Sequence, residues 1–266
     1  MKRGYVDLPD GQIHYRTEGS GPPILFLHAA HSSSEAFEGL MFLLSSTHRT
    51  IAIDLPGHGD SDSGSLPYSI EEYGQTIVAI LAQMEVDKAS IFGFATGANI
   101  ALEVATAAPE HVEKLVIYNC PYFTDDSSRQ QFLDDNPPKE IEWDGAHLEE
   151  KWQGTIRALG TAPIGDVQRN LIFRLQAQLS PKRGEEGHEA ITQYNVAAKL
   201  PNVQSPTLVL SLPGTSGGRF QKFAEEISAA IPLGSHLVLP EDAHLYRKPW
   251  EFAAPILDFL SQSAES

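Results

Sequence analysis

The sequence predicts an α/β protein in which helices cover both faces of a mostly parallel, eight-stranded sheet. Short runs rich in Ile, Leu and Val alternate with helical patterns, as expected for parallel strands that are buried on both sides. The 266 residues are enough for one domain with an insertion. From about residue 121 to 201 the strand pattern stops, which predicts a helical cap after the sixth strand. Residues 1–120 and 202–266 then form the core domain.

The strands are predicted, in order, from short apolar runs bounded by turn residues. The first two form a hairpin, because Pro9-Asp10-Gly11 between them is a turn signal. The eight predicted strands cover residues 4–8, 12–16, 23–28, 50–55, 89–92, 114–119, 207–212 and 236–239.

The helices are predicted from capping residues and from apolar residues at helical spacing. Ser69 and Glu72 stand at the spacing of a capping box, and apolar residues then recur on one helical face as far as Met84. The other predicted helices cover residues 98–110, 147–159, 166–179, 219–231 and 250–262. The cap is also rich in aromatic side chains, which predicts a partly apolar pocket. These aromatic residues are Phe132, Trp143, Trp152, Phe173 and Tyr194.

Composition argues against several classes of partner and site. The chain has 19 Lys and Arg against 35 Asp and Glu, and this net charge of −16 disfavours nucleic acids and anionic membranes as partners. A single cysteine, Cys120, excludes an intramolecular disulfide. With no run of ~20 apolar residues and no signal-peptide pattern, the expected location is the cytoplasm. Metal-binding and nucleotide-binding motifs are absent from the sequence, so we expect no cofactor.

A sharp strand-to-helix turn is the motif most relevant to chemistry. Gly93-Phe94-Ala95-Thr96-Gly97 follows the fifth predicted strand and has the glycine spacing of the G-x-S-x-G nucleophile elbow. The two glycines let the chain turn tightly enough to lift the middle side chain above the sheet. In this sequence that side chain is the methyl group of Ala95, which cannot act as a nucleophile.

Together with the elbow, three segments resemble the α/β-hydrolase superfamily, which includes esterases and the fungal zearalenone lactonases. The segments are Phe26-Leu27-His28-Ala29-Ala30, Asp54-Leu55-Pro56-Gly57-His58-Gly59-Asp60-Ser61 and Leu239-Pro240-Glu241-Asp242-Ala243-His244. The resemblance implies that His244 is the catalytic histidine and that the amides of Ala30 and Thr96 form the oxyanion hole. It also implies a substrate pocket beside the elbow, lined by His28, Ala29, His31, Phe94, Tyr122 and Trp152.

The acid of a Ser-His-acid triad is missing from its usual position. The family carries it shortly after the seventh strand, where this chain reads Leu212-Pro213-Gly214-Thr215-Ser216-Gly217. A minority, including the zearalenone lactonases, carries it at the end of the sixth strand, which corresponds here to Asn119. Asparagine can hold a histidine tautomer but cannot stabilise an imidazolium by charge. The alternatives nearby in sequence are Asp125, Asp126 and Asp242.

The resemblance implies a hydrolase that cleaves a small apolar ester or lactone, or a C–C bond in a diketone-like substrate. Ala95 implies that this chain binds substrate without turning it over. Two explanations stay open: a serine replaced deliberately to trap substrate, which is the working hypothesis, or a natural absence of the serine. For a natural absence, the alternatives are a ligand-binding pseudoenzyme or receptor, and a lyase or isomerase that uses His244 alone.

Overall fold

The computed structural model describes residues 1–64, 67–136, 142–159, 165, 181–214 and 218–262. The strands are β1 (Lys2–Leu8), β2 (Gly11–Glu18), β3 (Pro23–Leu27), β4 (Arg49–Ile53), β5 (Ala89–Phe94), β6 (Val112–Tyr118), β7 (Thr207–Ser211) and β8 (Gly234–Val238). They form an eight-stranded sheet of order β1-β2-β4-β3-β5-β6-β7-β8. β2 is antiparallel to both of its neighbours, and all other pairs are parallel.

The predicted fold class and the eight strands are confirmed, with bounds that differ by a few residues. β5 continues to Phe94, two residues beyond its predicted end, and therefore reaches the elbow. β6 ends at Tyr118, so Asn119 lies just after the strand, with a φ of 50°. A positive φ takes the backbone out of the extended conformation, which explains why the strand stops there.

The helices are α1 (Glu38–Leu44), α2 (Ile70–Gln83), α3 (Thr96–Ala107), α4 (Asp126–Asp135), α5 (Ala146–Leu159), α6 (Pro181–Gln193), α7 (Val196–Lys199), α8 (Arg219–Ala230) and α9 (Trp250–Ser261). The predicted capping box begins α2: Glu72 N–H donates to Ser69 Oγ at 3.1 Å, and Ser69 N–H donates to Glu72 Oε2 at 2.7 Å. The sequence patterns did not predict α1, α4, α6 or α7. None of the helices in the described ranges combines the length and apolar character that a membrane span requires.

Alternating side chains along the strands build a hydrophobic core on each face of the sheet. In β3, Leu25 and Leu27 lie on the face that packs against α2, α3 and α8. Ile24 and Phe26 lie on the opposite face, which packs against α1 and α9. Because both faces are buried, the parallel strands carry continuous apolar runs, which is the pattern that made them predictable.

Between β6 and β7 the described residues form helices α4 to α7 and no strand. This agrees with the predicted helical insertion after the sixth strand, while its limits at residues 121 and 201 stay a prediction. The end of the insertion is attached to α3: Tyr194 donates to Glu103 Oε2 at 2.8 Å, and Lys199 Nζ lies 2.6 Å from the same oxygen. The helix predicted over 166–179, with Phe173, lies outside the described residues.

Candidate active site

The elbow between β5 and α3 has a strained backbone at its centre. Ala95 has a φ of 51° and a ψ of −112°, a combination that residues other than glycine rarely adopt. Such a conformation costs about 1–3 kcal/mol and persists only where the surrounding structure imposes it. The Ala95 amide donates to the carbonyl oxygen of Tyr118 on β6 at 3.0 Å, and its carbonyl accepts from Ala98 N–H at 2.9 Å. The chain thus changes from strand to helix within one residue.

The two glycines of the elbow are required by close backbone contacts. A Cβ atom at Gly93 would lie 2.4 Å from the carbonyl oxygen of Gly97. A Cβ atom at Gly97 would lie 2.1 Å from the carbonyl oxygen of Leu27, at the end of β3. Both distances are much shorter than a van der Waals contact, so neither position has room for a side chain. This explains the spacing of the two glycines in the sequence, as expected of an elbow.

His28 supports the loop that follows β3. Its side chain is fully buried, with Nδ1 2.7 Å from the carbonyl oxygen of Ala29, while Nε2 accepts Leu55 N–H at 2.9 Å. Both bonds form together only when the ring is neutral and protonated on Nδ1. Burial lowers the pKa of His28, which favours this neutral form. The predicted contact between its side chain and substrate is corrected, because both ring nitrogens are already bonded to backbone.

The carboxylate of Asp54 organises the turn after β4. It accepts Ser34 N–H at 2.6 Å and Asp60 N–H at 2.9 Å, and it lies 2.9 Å from His14 Nδ1. Burial by itself raises the pKa of Asp54, but these bonds hold it well below its usual range. His14, Asp54 and Asp60 lie close enough to ligate a metal ion. Because Asp54 is already bonded to all three partners, we assign these residues a structural role in the turn after β4.

The structure brings the two predicted oxyanion-hole residues together. Thr96 is the first residue of α3, so its N–H group has no acceptor within the helix. The Ala30 N–H group donates to Thr96 Oγ1 at 3.2 Å. The Thr96 side chain is only 3% exposed. The Ala30 amide therefore already has an acceptor, which the sequence did not predict.

Helix α6 covers the loop after β3, called the oxyanion loop below for the predicted role of Ala30, at a position that lacks a side chain. A Cβ atom at Gly187 would lie 3.0 Å from Ala30 Cβ and 3.9 Å from Thr96 Cγ2. The backbone of α6 therefore packs directly on both predicted oxyanion-hole residues. Sequence reasoning missed this helix, and a glycine in the middle of a polar segment was the only signal of the contact.

Aromatic and imidazole rings continue this contact to α4, in the predicted cap. The ring of His188, on α6, contacts the rings of His31 and of Phe132 on α4 edge-on. The centroid distances are 4.9 Å to His31 and 5.3 Å to Phe132. Phe132 in turn contacts Phe123 at 5.2 Å. The predicted pocket residue His31 thus lies where the oxyanion loop meets the cap, half-buried, with a φ of 59°.

The other predicted pocket residues occupy different environments. Phe94 is half-buried at the end of β5 and stacks on Tyr118, with ring centroids 5.2 Å apart and an interplanar angle of 20°. Tyr122 is almost fully buried and contacts Phe223 of α8 edge-on at 5.9 Å, so its ring packs with the core. Ala29 and Trp152 are half-buried, on the oxyanion loop and on α5 respectively.

His244 lies half-buried on the loop after β8, as predicted from its position in the sequence. Its carbonyl oxygen accepts the amides of Arg247 and Lys248 at 3.1 and 2.7 Å. Its Nδ1 accepts Tyr246 N–H at 3.3 Å. In a Ser-His-acid triad Nδ1 carries the proton and donates it to the acid. The Tyr246 amide therefore favours the opposite tautomer, with the proton on Nε2.

The four candidates for the triad acid lie in different environments. Asp125 accepts Ser128 N–H at 2.7 Å as the N-cap of α4, Asp126 pairs with Arg129 at 2.7 Å, and Asp242 bonds to Lys248. All three carboxylates are exposed. Asn119 Oδ1 is buried without a hydrogen-bond partner among the described residues, so the predicted bond from Asn119 to His244 is not formed. Its side chain instead lies beside the hydroxyl of Tyr118, whose pKa is raised by burial.

Comparison with known proteins identifies the family. A family model described as the alpha/beta hydrolase fold matches residues 22–158, which is just over half of the chain. The chain therefore belongs to the alpha/beta hydrolase fold family. The family resemblance seen in the elbow and its companion motifs is confirmed at this level.

Individual relatives are more distant. The 2-(acetamidomethylene)succinate hydrolase of Mesorhizobium japonicum is 34% identical over 111 residues, which is 42% of this chain and 40% of that protein. The pimeloyl-acyl-carrier protein methyl ester esterase of Nitrosospira multiformis is 26% identical over 249 residues, 85% of this chain and 93% of that protein. The chain spans 33–40% of the length of several curated relatives that it matches.

Solved structures share the fold at low sequence identity. The enol-lactonase from Burkholderia xenovorans LB400 has a TM-score of 0.75 and 18% identity, covering 97% of this chain and 100% of that one. At this identity the likeness establishes the architecture and leaves the chemistry to the site itself.

Proposed function

We propose that this protein binds a small, largely apolar ester or lactone at the carboxyl edge of the sheet, and that Ala95 prevents hydrolysis through a serine acyl-enzyme. The main support for this proposal is the backbone conformation of the elbow. Ala95 keeps a strained φ,ψ pair that an ordinary strand–helix turn does not need, and Gly93 and Gly97 keep the contacts that impose it. The named activities of two relatives, a methyl ester esterase and an enol-lactonase, agree with this substrate class.

With a serine at position 95, the proposed reaction is acyl transfer. The serine hydroxyl attacks the carbonyl carbon, and His244 Nε2 takes its proton and returns it to the departing alcohol oxygen. The Thr96 amide stabilises the oxyanion, and water then releases the acid by a second attack. For His244 to act as a base its Nε2 must be unprotonated, so its Nδ1 must give up the bond from Tyr246 N–H. For a diketone-like substrate the same attack breaks the C–C bond, and His244 Nε2 returns the proton to the departing enolate.

The decisive experiment compares the chain that carries Ala95, called the native chain below, with Ala95→Ser on p-nitrophenyl acetate, butyrate and hexanoate. We expect the serine variant to hydrolyse at least one ester about 100-fold faster than the native chain and to react with a fluorophosphonate. The matched control is Ala95→Ser combined with His244→Ala, which should lose the gained activity. A folded Ala95→Ser variant that neither reacts with the fluorophosphonate nor cleaves any ester would contradict the proposal.

A second candidate is a naturally serine-free member of the family that only binds its ligand. The bond from Tyr246 N–H to His244 Nδ1 favours it, because the resulting tautomer is the wrong one for a general base. Under this alternative the Ala95→Ser variant hydrolyses no ester, while the native chain still binds its ligand. A lyase or isomerase that uses His244 alone differs from both, because the native chain would be active and His244→Ala would abolish that activity.

A further inference from the structure

The hydroxyl of Thr96 occupies the position at which the Ala30 amide points. Ala30 N–H donates to Thr96 Oγ1 at 3.2 Å, and a hydrogen bond of this kind requires the oxygen to lie roughly along the N–H direction. An oxyanion bound by the Ala30 amide needs the same place. Two oxygen atoms cannot both occupy it, so the Ala30 amide is not open to a ligand while Thr96 keeps this rotamer.

The Thr96 hydroxyl group can also donate a hydrogen bond. A threonine hydroxyl can donate one hydrogen bond while it accepts another. In helices this proton often goes to the carbonyl oxygen four residues earlier, here that of Phe92. Across the part of the chain that the structure describes, Thr96 makes no such bond and its hydroxyl acts only as an acceptor. The proton is therefore available for a ligand atom beside the elbow.

We propose that Thr96 Oγ1–H, in place of Ala30 N–H, donates the hydrogen bond that holds the carbonyl oxygen of the bound ester or lactone. This inference rests on the proposed function and names the group that recognises its substrate. The Ala30 amide polarises the hydroxyl, because a hydroxyl that accepts one hydrogen bond becomes a stronger donor of the next. Such a donor holds a carbonyl compound without attacking it, which suits a chain whose elbow carries Ala95.

The test uses two probes that differ only in the carbonyl group: 4-phenyl-2-butanone and butylbenzene. Dissociation constants are measured by NMR titration for the native chain, Thr96→Val and Thr96→Ser. We expect the ketone to bind the native chain more tightly than the hydrocarbon. Thr96→Val should weaken ketone binding about 3- to 10-fold, as expected for loss of one neutral hydrogen bond, and leave butylbenzene unchanged. Thr96→Ser, which keeps the hydroxyl, should bind both probes like the native chain.

Other outcomes separate this inference from the proposed function. If Thr96→Val binds the ketone as tightly as the native chain, or more tightly because the Ala30 amide has become available, the role of the hydroxyl is refuted. Equal binding of both probes by the native chain refutes carbonyl recognition while leaving an apolar pocket in place. If the native chain binds neither probe, the proposed substrate class itself fails, and this inference fails with it. A loss of both probes in Thr96→Ser, with folding intact, also refutes it.

Discussion

The hydroxyl of Tyr194 donates a 2.8 Å hydrogen bond to the buried carboxylate of Glu103 and so joins the end of the cap to the helix that starts at the elbow. Lys199 Nζ, 2.6 Å from the same carboxylate oxygen, balances the negative charge. Glu103 is only 5% exposed, so its charge depends on these partners. The end of the predicted cap is therefore held against α3 by a small polar network as well as by apolar packing.

Removing the Tyr194 hydroxyl should destabilise the protein. Tyr194→Phe leaves the Glu103 carboxylate buried with one partner fewer, and we expect the free energy of unfolding to fall by about 1–3 kcal/mol. Urea unfolding measures the change. In a double-mutant cycle with Glu103→Gln, the two substitutions should be non-additive by at least about 0.5 kcal/mol. Additive effects would mean that the two side chains contribute independently.

The contact between Gly97 and Leu27 predicts that the elbow does not tolerate a side chain at its second glycine. Gly97→Ala places a methyl group 2.1 Å from the carbonyl oxygen of Leu27, so β3 and α3 must move apart. We expect a loss of more than about 3 kcal/mol in the free energy of unfolding, measured in urea.

Gly154→Ala is the matched control for that substitution, because Gly154 lies within α5 and a Cβ atom there has no neighbour within 4 Å. It should stabilise the protein by about 0.5–1 kcal/mol through helix propensity. Similar effects at both glycines would show that the elbow is not held by the Leu27 contact.

The elbow and the strands were predictable because their physical requirements are local. Strands buried on both faces need continuous apolar runs, and the turn at Ala95 needs small residues at Gly93 and Gly97 on either side of it. These requirements leave a pattern in neighbouring residues. The predicted fold class and family follow from such patterns.

Other contacts at the candidate site leave no pattern in the sequence, because they join distant residues or use only backbone atoms. The Thr96 hydroxyl and the Ala30 amide are separated by 66 positions. The tautomer of His244 depends on the backbone of Tyr246, and any residue type at that position supplies the same amide. Helix α6 is rich in polar residues and contacts Ala30 at Gly187, which has no side chain, so no apolar residue marks this contact in the sequence.

The neutral ring of His28 predicts a specific dependence of stability on pH. Burial lowers the pKa of His28 below 6.5, its ordinary value, so below pH 6.5 the unfolded chain binds a proton that the folded chain does not. The stability contributed by His28 is therefore present above pH 6.5 and is lost as the pH falls, until the pKa of the folded state is reached. The slope from this one group is at most about 1.4 kcal/mol per pH unit.

His28→Gln removes the titrating ring and should flatten this part of the profile. We expect the variant to be less stable at pH 7 but to lose less stability than the native protein between pH 6.5 and 5, as measured by urea unfolding at each pH. Tyr194→Phe serves as the comparison, since it is also destabilised but keeps the His28 ring. An unchanged slope in His28→Gln would show that His28 does not titrate differently in the two states.

The contact between Gly187 and Ala30 predicts that a small change in the cap alters ligand binding more than stability. Gly187→Ala brings a methyl group to 3.0 Å from Ala30 Cβ, closer than the roughly 3.5–4.0 Å at which carbon atoms pack. Helix α6 must move away from the oxyanion loop, while the better helix propensity of alanine offsets the strain by up to about 1 kcal/mol. We expect affinity for 4-phenyl-2-butanone to fall several-fold and the free energy of unfolding to change by about 1 kcal/mol or less. Gly154→Ala should leave the affinity unchanged, and an unchanged affinity in Gly187→Ala would place the ligand away from this helix.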